Sequence, residues 1–375
     1  MPNYPVELLQ SMLGIYSPSG SESELAAFLL EQMSARRFKV REDCVGNVIG
    51  ELGEEGPRIL LCGHMDTVPG EIPVRIESDF LYGRGSVDAK SSLAAMIEGS
   101  FLAAERSQAP FRVTLAAVVE EETSGAGAKA LISSGNSYDF AVFGEPSGAP
   151  NIVIGYKGSL QLYVTCMTKG GHSASPWLSK NSYEEAFEFW STFRDSLMEN
   201  CSTSKFSAIT GCVTNATAGD TTNNIPSHAT LVIDVRIPPR VKASEMVARI
   251  EKFTGHYQEE HDDARFLIAV KDKAEAFLGS EDSDIVRAFR WAIRKTVGCQ
   301  ASFVKKTGTS DINIFAESQS MPMIAYGPGD STLDHTEEER VSISDYLRSI
   351  EVYSNAIQRI ASFNHGEFQP AHGLK

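Results

Sequence analysis

Ile59-Leu60-Leu61-Cys62-Gly63-His64-Met65-Asp66 is a continuous apolar run that breaks directly into a glycine, a histidine and an acid. So short an apolar run, stopped by glycine, reads as a strand buried on both faces. Two later stretches repeat the plan. Val113 to Val119 is followed by Glu120-Glu121-Glu122, and Phe140 to Phe143 is followed by Gly144-Glu145-Pro146. Between the first two strands, Ser91 to about Arg106 carries a helical pattern. Upstream, Ser21 to Glu24 reads as a capping box ahead of Leu25, Phe28, Leu29 and Met33 on one helical face. Buried strands alternating with helices predict an α/β fold, a mixed, mostly parallel sheet flanked by helices.

Working outward, the pattern changes near Gly158. Leu160, Leu162, Val164 and Cys166 alternate with polar residues, as do Leu231, Ile233, Val235 and Ile237, so each strand covers one face. Tyr183 to about Met198 and Ala243 to Phe253 read as helices, and Arg265 to Val270 as a strand. After about Phe277 the first pattern returns, with a helix over Asp284 to Val297, a strand at Met323 to Tyr326 and a last helix from Tyr346 to Ile360. The expectation is a discontinuous catalytic domain, 1–157 and 275–375, with an α+β lid or dimerisation domain inserted at 158–274.

Composition sets bounds. A chain of 375 residues favours two domains. A net charge of −15 argues against nucleic acid as a partner. Docking an acidic partner would need a local basic patch against this overall field, for which Lys157, Lys169, Lys305 and Lys306 are the candidates. The six cysteines are scattered without a C-x-x-C pair, so neither a disulfide framework nor a thiolate metal site is expected, and most read as small buried hydrophobes. Met1 to Gln10 has no signal-peptide character, and the apolar runs are too short to span a bilayer. A cytoplasmic location is the default expectation.

The chemistry lies where acids and histidines leave the strands, the edge at which open α/β sheets bind ligands. His64 and Asp66, two apart, project to the same side of an extended chain, so Asp66 can fix the tautomer of His64. Asp88 follows a turn containing Gly83 and Gly85, and His335 sits in a glycine-rich loop before the last helix. Each has an ordinary reading of its own: a capped surface histidine, a helix cap, a solvated acidic loop at Glu120 to Glu122, and an exposed loop histidine. Together, His64, Asp88, Glu122, Glu145 and His335 suit two Zn²⁺ or related divalent ions such as Co²⁺, with one carboxylate bridging. Two ions sharing a water supply a nucleophile near neutral pH.

Gly63-His64-Met65-Asp66-Thr67-Val68-Pro69, Gly83-Arg84-Gly85 with Asp88-Ala89-Lys90, Glu121-Glu122, Gly144-Glu145-Pro146 and Asp334-His335-Thr336 occur in the order of one family. The sequence resembles the dinuclear-zinc peptidases that include carboxypeptidase G, aminoacylase, acetylornithine deacetylase and succinyl-diaminopimelate desuccinylase. The resemblance implies that Asp88 bridges the metals. His64 and Glu145 then complete one site, and Glu122 and His335 the other, with Glu121 as general base and Asp66 orienting His64. Gly170-Gly171-His172-Ser173-Ala174 resembles the loop whose histidine reaches a neighbouring subunit's active site, which implies a homodimer. Asn224 and Arg236 resemble substrate-binding residues, Arg236 for a carboxylate, although an arginine on a strand also suits a structural ion pair. Gly308, Thr309 and Ser310 resemble the substrate-facing loop. Glu120, where the family often has Asp, and Ser91-Ser92, where glycine is common, depart from the pattern.

The short passage from Thr67 to Gly83, without a longer Trp-containing segment, resembles the branch that releases lysine or ornithine from an amino-group carrier protein of the LysW type. That resemblance implies an acyl-amino-acid substrate held on a small acidic carrier. A small-molecule deacylase, a dipeptidase or carboxypeptidase, and a metal-free binding homologue are the competing readings. His228, His256, His261, His365 and His372 match no motif and read as surface residues.

Overall fold

The computed structural model describes residues 4–198, 204–219 and 222–363. Cys201, His365 and His372 lie outside these. The chain divides into two compact units, Met1–Gly155 with Gly279–Lys305 and Ser310–Lys375, and Tyr156–Leu278 with Lys306–Thr309.

The first unit is built on a mixed sheet. Its strands Lys39–Glu42, Val48–Leu52, Arg112–Val118, Arg58–His64, Phe140–Phe143, Met323–Ala325 and Asn151–Tyr156 are neighbours in that order. The central four run parallel, and the flanking strands are antiparallel. His64 pairs with Val118 and Cys62 with Phe143, so the chemistry-bearing ends leave the sheet on one edge. These strands are apolar because helices cover them. Asp284–Val297 buries Ile285, Val286, Ala288, Phe289, Ala292 and Ile293, the one-sided spacing of an amphipathic helix, and ends at Gly298 in the left-handed conformation. Lys90–Arg106 is buried along nearly its whole first half because Ile343–Ala361 packs on it. That approach needs a glycine: a Cβ on Gly99 would sit 2.5 Å from Cβ of Tyr353.

The second unit is an antiparallel sheet in the order Thr210–Ala218, His228–Ile237, Gly158–Met167 and Arg265–Ala274. Burial alternates residue by residue along Gly158–Met167 and His228–Ile237, as the period-two pattern requires. Helices Ser182–Met198 and Ala243–Glu260 pack on this sheet. An aromatic cluster of Phe189, Phe193, Phe253, Tyr257 and Phe266 joins them.

Several local expectations are corrected. The helix expected to start at a Ser21 capping box begins at Ser23, with Glu22 before it and no side-chain cap. Glu22 Oε1 instead accepts N–H groups of Gly20 and Glu120, at 3.0 and 3.2 Å. A capping pair forms elsewhere, where Ser310 N–H donates to Asn313 Oδ1 at 2.9 Å. Among the described cysteines only Cys62 and Cys166 are buried, and Cys44, Cys212 and Cys299 are exposed. His261 is not a plain surface residue, since it stacks on Tyr257 with centroids 3.9 Å apart. Lys157 cannot belong to a docking patch. It is fully buried, and its Nζ donates to Ala208 O at 2.7 Å and to Thr210 Oγ1 at 2.9 Å.

Candidate metal centre

The parallel strands deliver their last residues to one edge of the first unit. Arg58–His64 ends at His64, with Asp66 two residues on; Arg112–Val118 leads to Glu120–Glu122, and Phe140–Phe143 to Glu145. Asp88 arrives from the turn before Lys90–Arg106, across a cis peptide to Ala89. It is no helix cap, since Ala89 occupies that position and no side-chain cap bond forms. His335 comes from the loop before the last helix and adopts a left-handed backbone.

Asp88 joins the two histidines. Its Oδ1 lies 3.1 Å from His64 Nε2, and its Oδ2 lies 3.2 Å from His335 Nε2. His335 Nε2 is also 3.0 Å from Glu122 Oε1. Ligand atoms of Asp88, Glu122 and His335 fall within 4.8 Å of one another, as do those of His64, Glu121 and Glu122. Glu145 belongs to neither of these triads. It is buried beside them, close enough for its charge to act on Glu121.

Asp66 is buried and does more than face a histidine. Its carboxylate accepts N–H groups of Glu121 and Glu122, each at 3.1 Å, and the hydroxyl of Ser19 at 2.7 Å. His64 Nδ1 meets the main-chain oxygen of Asp66 at 2.9 Å and the carboxylate at 3.5 Å. So Asp66 fixes the acidic turn as well as the histidine. Glu339 was not legible in the sequence, because its partners Arg84, Val87 and Asp88 are remote in the chain. It is buried, pairs with Arg84 at 2.8 Å, and accepts N–H groups of Val87 and Asp88 at 2.9 and 3.1 Å. It thereby holds the turn that presents Asp88. Ser19 and Glu22 were missed for the same reason, that their partners are remote in sequence.

The electrostatics fit divalent cations. Burial pushes Glu121 well above the usual carboxylate range, and the charges of Glu145, Asp311 and Asp88 add to it against His64. Burial also raises Asp311 to about 7, with Asp66 contributing. Burial opposes the charge on His64, but hydrogen bonds to Asp66 and Asp88 and the charge of Glu121 raise it well above its ordinary value. Hydrogen bonds to Asp88 and Glu122 raise the half-exposed His335 to about 10. Carboxylates that repel one another, and that draw the neighbouring imidazoles toward their protonated form, are groups whose charge a divalent cation would compensate. Oxygen and imidazole donors with a carboxylate facing both ways match a pair of divalent ions.

In the second unit, His172 is exposed and stands opposite Asn224 in a two-stranded pairing. Ala174 N–H donates to His172 Nδ1 at 3.0 Å, which leaves Nε2 as the proton-bearing nitrogen of the neutral ring. Arg236 makes a two-pronged pair with Asp234, at 2.8 and 2.9 Å, and its Nη1 donates to Thr309 Oγ1 at 3.2 Å. Gly308 is exposed, Thr309 half-buried and Ser310 buried.

A carboxylate-rich cluster with two histidines at the carboxyl edge of an α/β sheet defines a candidate divalent-metal site. Residues 60–359 match the peptidase family M20/M25/M40, and the chain belongs to that family. It is a hydrolase of amide bonds. It is 34% identical over 371 residues to the [LysW]-lysine hydrolase of Deinococcus radiodurans, covering 94% of this chain and 96% of the relative. It is 32% identical over 355 residues to the [LysW]-lysine/[LysW]-ornithine hydrolase of Sulfurisphaera tokodaii, covering 94% and 95%. In fold it is similar to the M20 family metallo-carboxypeptidase Sso-CP2 from Sulfolobus solfataricus, with a TM-score of 0.81, 19% identity, and coverage of 97% and 100%. Among the described residues no helix is long and apolar enough to cross a membrane.

Proposed function

We propose that this enzyme uses two divalent ions, Zn²⁺ or Co²⁺, to release lysine or ornithine from the terminal γ-glutamyl group of an amino-group carrier protein. The reading is carried by Asp88, whose two oxygens each face one histidine at 3.1 and 3.2 Å. The relatives named for LysW-linked substrates, matched over nearly the whole chain, support the choice of acyl group.

His64, Asp88, Glu122, Glu145 and His335 would hold the ions. When bound, the ions supply Lewis acidity toward the scissile carbonyl and make water easier to deprotonate. Glu121 takes the proton of the attacking water and returns it to the departing amine. Desolvation makes its carboxylate a stronger base than an exposed glutamate. Asp66 keeps Glu121 and Glu122 in register through their backbone N–H groups. Arg236 binds the free α-carboxylate of the amino acid, and its pairing with Asp234 sets the plane of the guanidinium. Asn224 and the Gly308 to Ser310 loop contact substrate. His172 of a partner subunit in a homodimer donates from Nε2 to the oxyanion.

The test is product identification with metal-loaded enzyme, offering carrier-linked lysine, N-acetyl-ornithine, N-acetyl-lysine and succinyl-diaminopimelate side by side. Release of lysine from the carrier at the highest kcat/KM is expected. Preference for a free acylated amino acid by tenfold or more would sink the carrier reading.

A further inference from the structure

A cavity of about 340 Å³ lies in the first unit and is lined by Lys90, Thr67, Arg84, Ile15, Val74 and Glu71 among others. Ligand pockets span roughly 300–1,000 Å³. Lys90 is buried, and its Nζ donates to two neutral carbonyls, Ile15 O at 2.6 Å and Met12 O at 3.1 Å. An ammonium has three protons, so one remains. The carboxylate whose charge reaches it, Glu339, is already paired with Arg84. A buried cation with only neutral acceptors is costly unless an anion joins it. Thr67 Oγ1 is buried in the same wall and has no hydrogen-bond partner among the described residues. Arg84 spends Nε and Nη1 on Gly70 O, Thr336 O and Glu339, and Nη2 makes none of these bonds. Three donors thus share a cavity with the apolar Ile15 and Val74, and a carboxylate, Glu71, is among the exposed members of the lining, with Tyr16 and Pro73.

We propose that this cavity binds a short aliphatic carboxylate with a cationic group at its far end, the carboxylate on Lys90, Thr67 and Arg84 and the cation at Glu71. Thr67 follows Asp66, and Lys90 lies two residues past Asp88, so the occupant touches both turns that shape the metal cluster. The diamino acids released in the proposed reaction belong to this ligand class. Assigning the occupant as product rests on that reading, and the existence of the site does not.

The probe is 5-aminopentanoate, with pentanoate as its uncharged-tail control, titrated calorimetrically into the metal-loaded enzyme. Thr67→Val is expected to weaken 5-aminopentanoate by about tenfold, the worth of a hydrogen bond to a charged group. Glu71→Gln is expected to erase the preference for 5-aminopentanoate over pentanoate, and Arg236→Ala to change neither affinity. No measurable binding overturns the proposal. So does binding lost in Arg236→Ala and kept in Thr67→Val, which places the ligand in the catalytic site. Glu71 is exposed, so its variant keeps the test decisive if Thr67→Val fails to fold. A failed carrier reading appears in the products, not in these heats.

Discussion

At the scale of single residues, Glu121 and Glu122 are neighbours with different work. Both hang from Asp66 by their N–H groups, but only Glu122 meets His335. Glu121→Gln keeps the shape and removes the proposed base. It is expected to lower kcat by about 10²–10⁴-fold, the usual worth of general acid–base catalysis, with two ions per chain retained by metal analysis. Retained turnover with full metal content would reassign the base. Glu339 predicts the opposite split. Glu339→Gln leaves a buried Arg84 without its charge partner and loosens the turn that presents Asp88. Metal affinity is expected to fall by about 10–100-fold, while kcat at saturating metal changes little. Titration with Zn²⁺ or Co²⁺ against activity separates the two effects, and unchanged metal affinity would make Glu339 a purely structural residue.

Elements follow the same logic. The helix Lys90–Arg106 carries Asp88 at its head, so its seating against Ile343–Ala361 sets where that carboxylate lands. Gly99 is the point of closest approach, with Cβ of Tyr353 2.5 Å and Ile350 O 3.0 Å from where a side chain would start. Gly99→Ala raises helix propensity but overpacks this contact. A net loss of about 1–3 kcal/mol is expected in urea melts of the metal-free protein. A gain would mean that the helices have room to separate. Element type was legible wherever periodicity was strong, as in Gly158–Met167 and Asp284–Val297, because covering one face imposes a sequence period. Caps were not legible in the same way. Ser21 and Glu24 have the spacing of a capping box, yet Glu22 engages Glu120 N–H instead, a contact between residues 98 apart. Local spacing cannot reveal a competing partner that remote in the chain.

On the scale of the whole molecule, the sequence showed which strand ends carry acids and histidines, and their order along the chain. It could not show that Asp88 faces both histidines, nor that Lys157 turns inward, because those facts depend on packing between distant segments. Nor could it show how much negative charge the cluster holds. Asp66, Asp88, Glu121, Glu122, Glu145 and Asp311 converge on two histidines, and that excess makes stability depend on bound metal and on pH. Stripping the ions with a chelator is expected to lower Tm, because an ion at 100 times its Kd contributes roughly 2.7 kcal/mol per site. Asp311 then sets a pH dependence in the metal-free protein. Burial raises its folded pKa to about 7 from an ordinary 3.8, so the folded state binds its proton more tightly than the unfolded state does. Between those two values the folded state holds more protons, and its stability falls as pH rises. Below pH 3.8 this contribution vanishes, and above about 7 the full penalty stands. Asp311→Asn removes a penalty on the order of a few kcal/mol. The variant is therefore expected to gain stability over the parent at pH 8 and to lose that advantage by pH 4. Urea melts of both metal-free proteins at the two pH values give the comparison. An advantage equal at both would show that Asp311 titrates normally and that its burial is relieved by a partner.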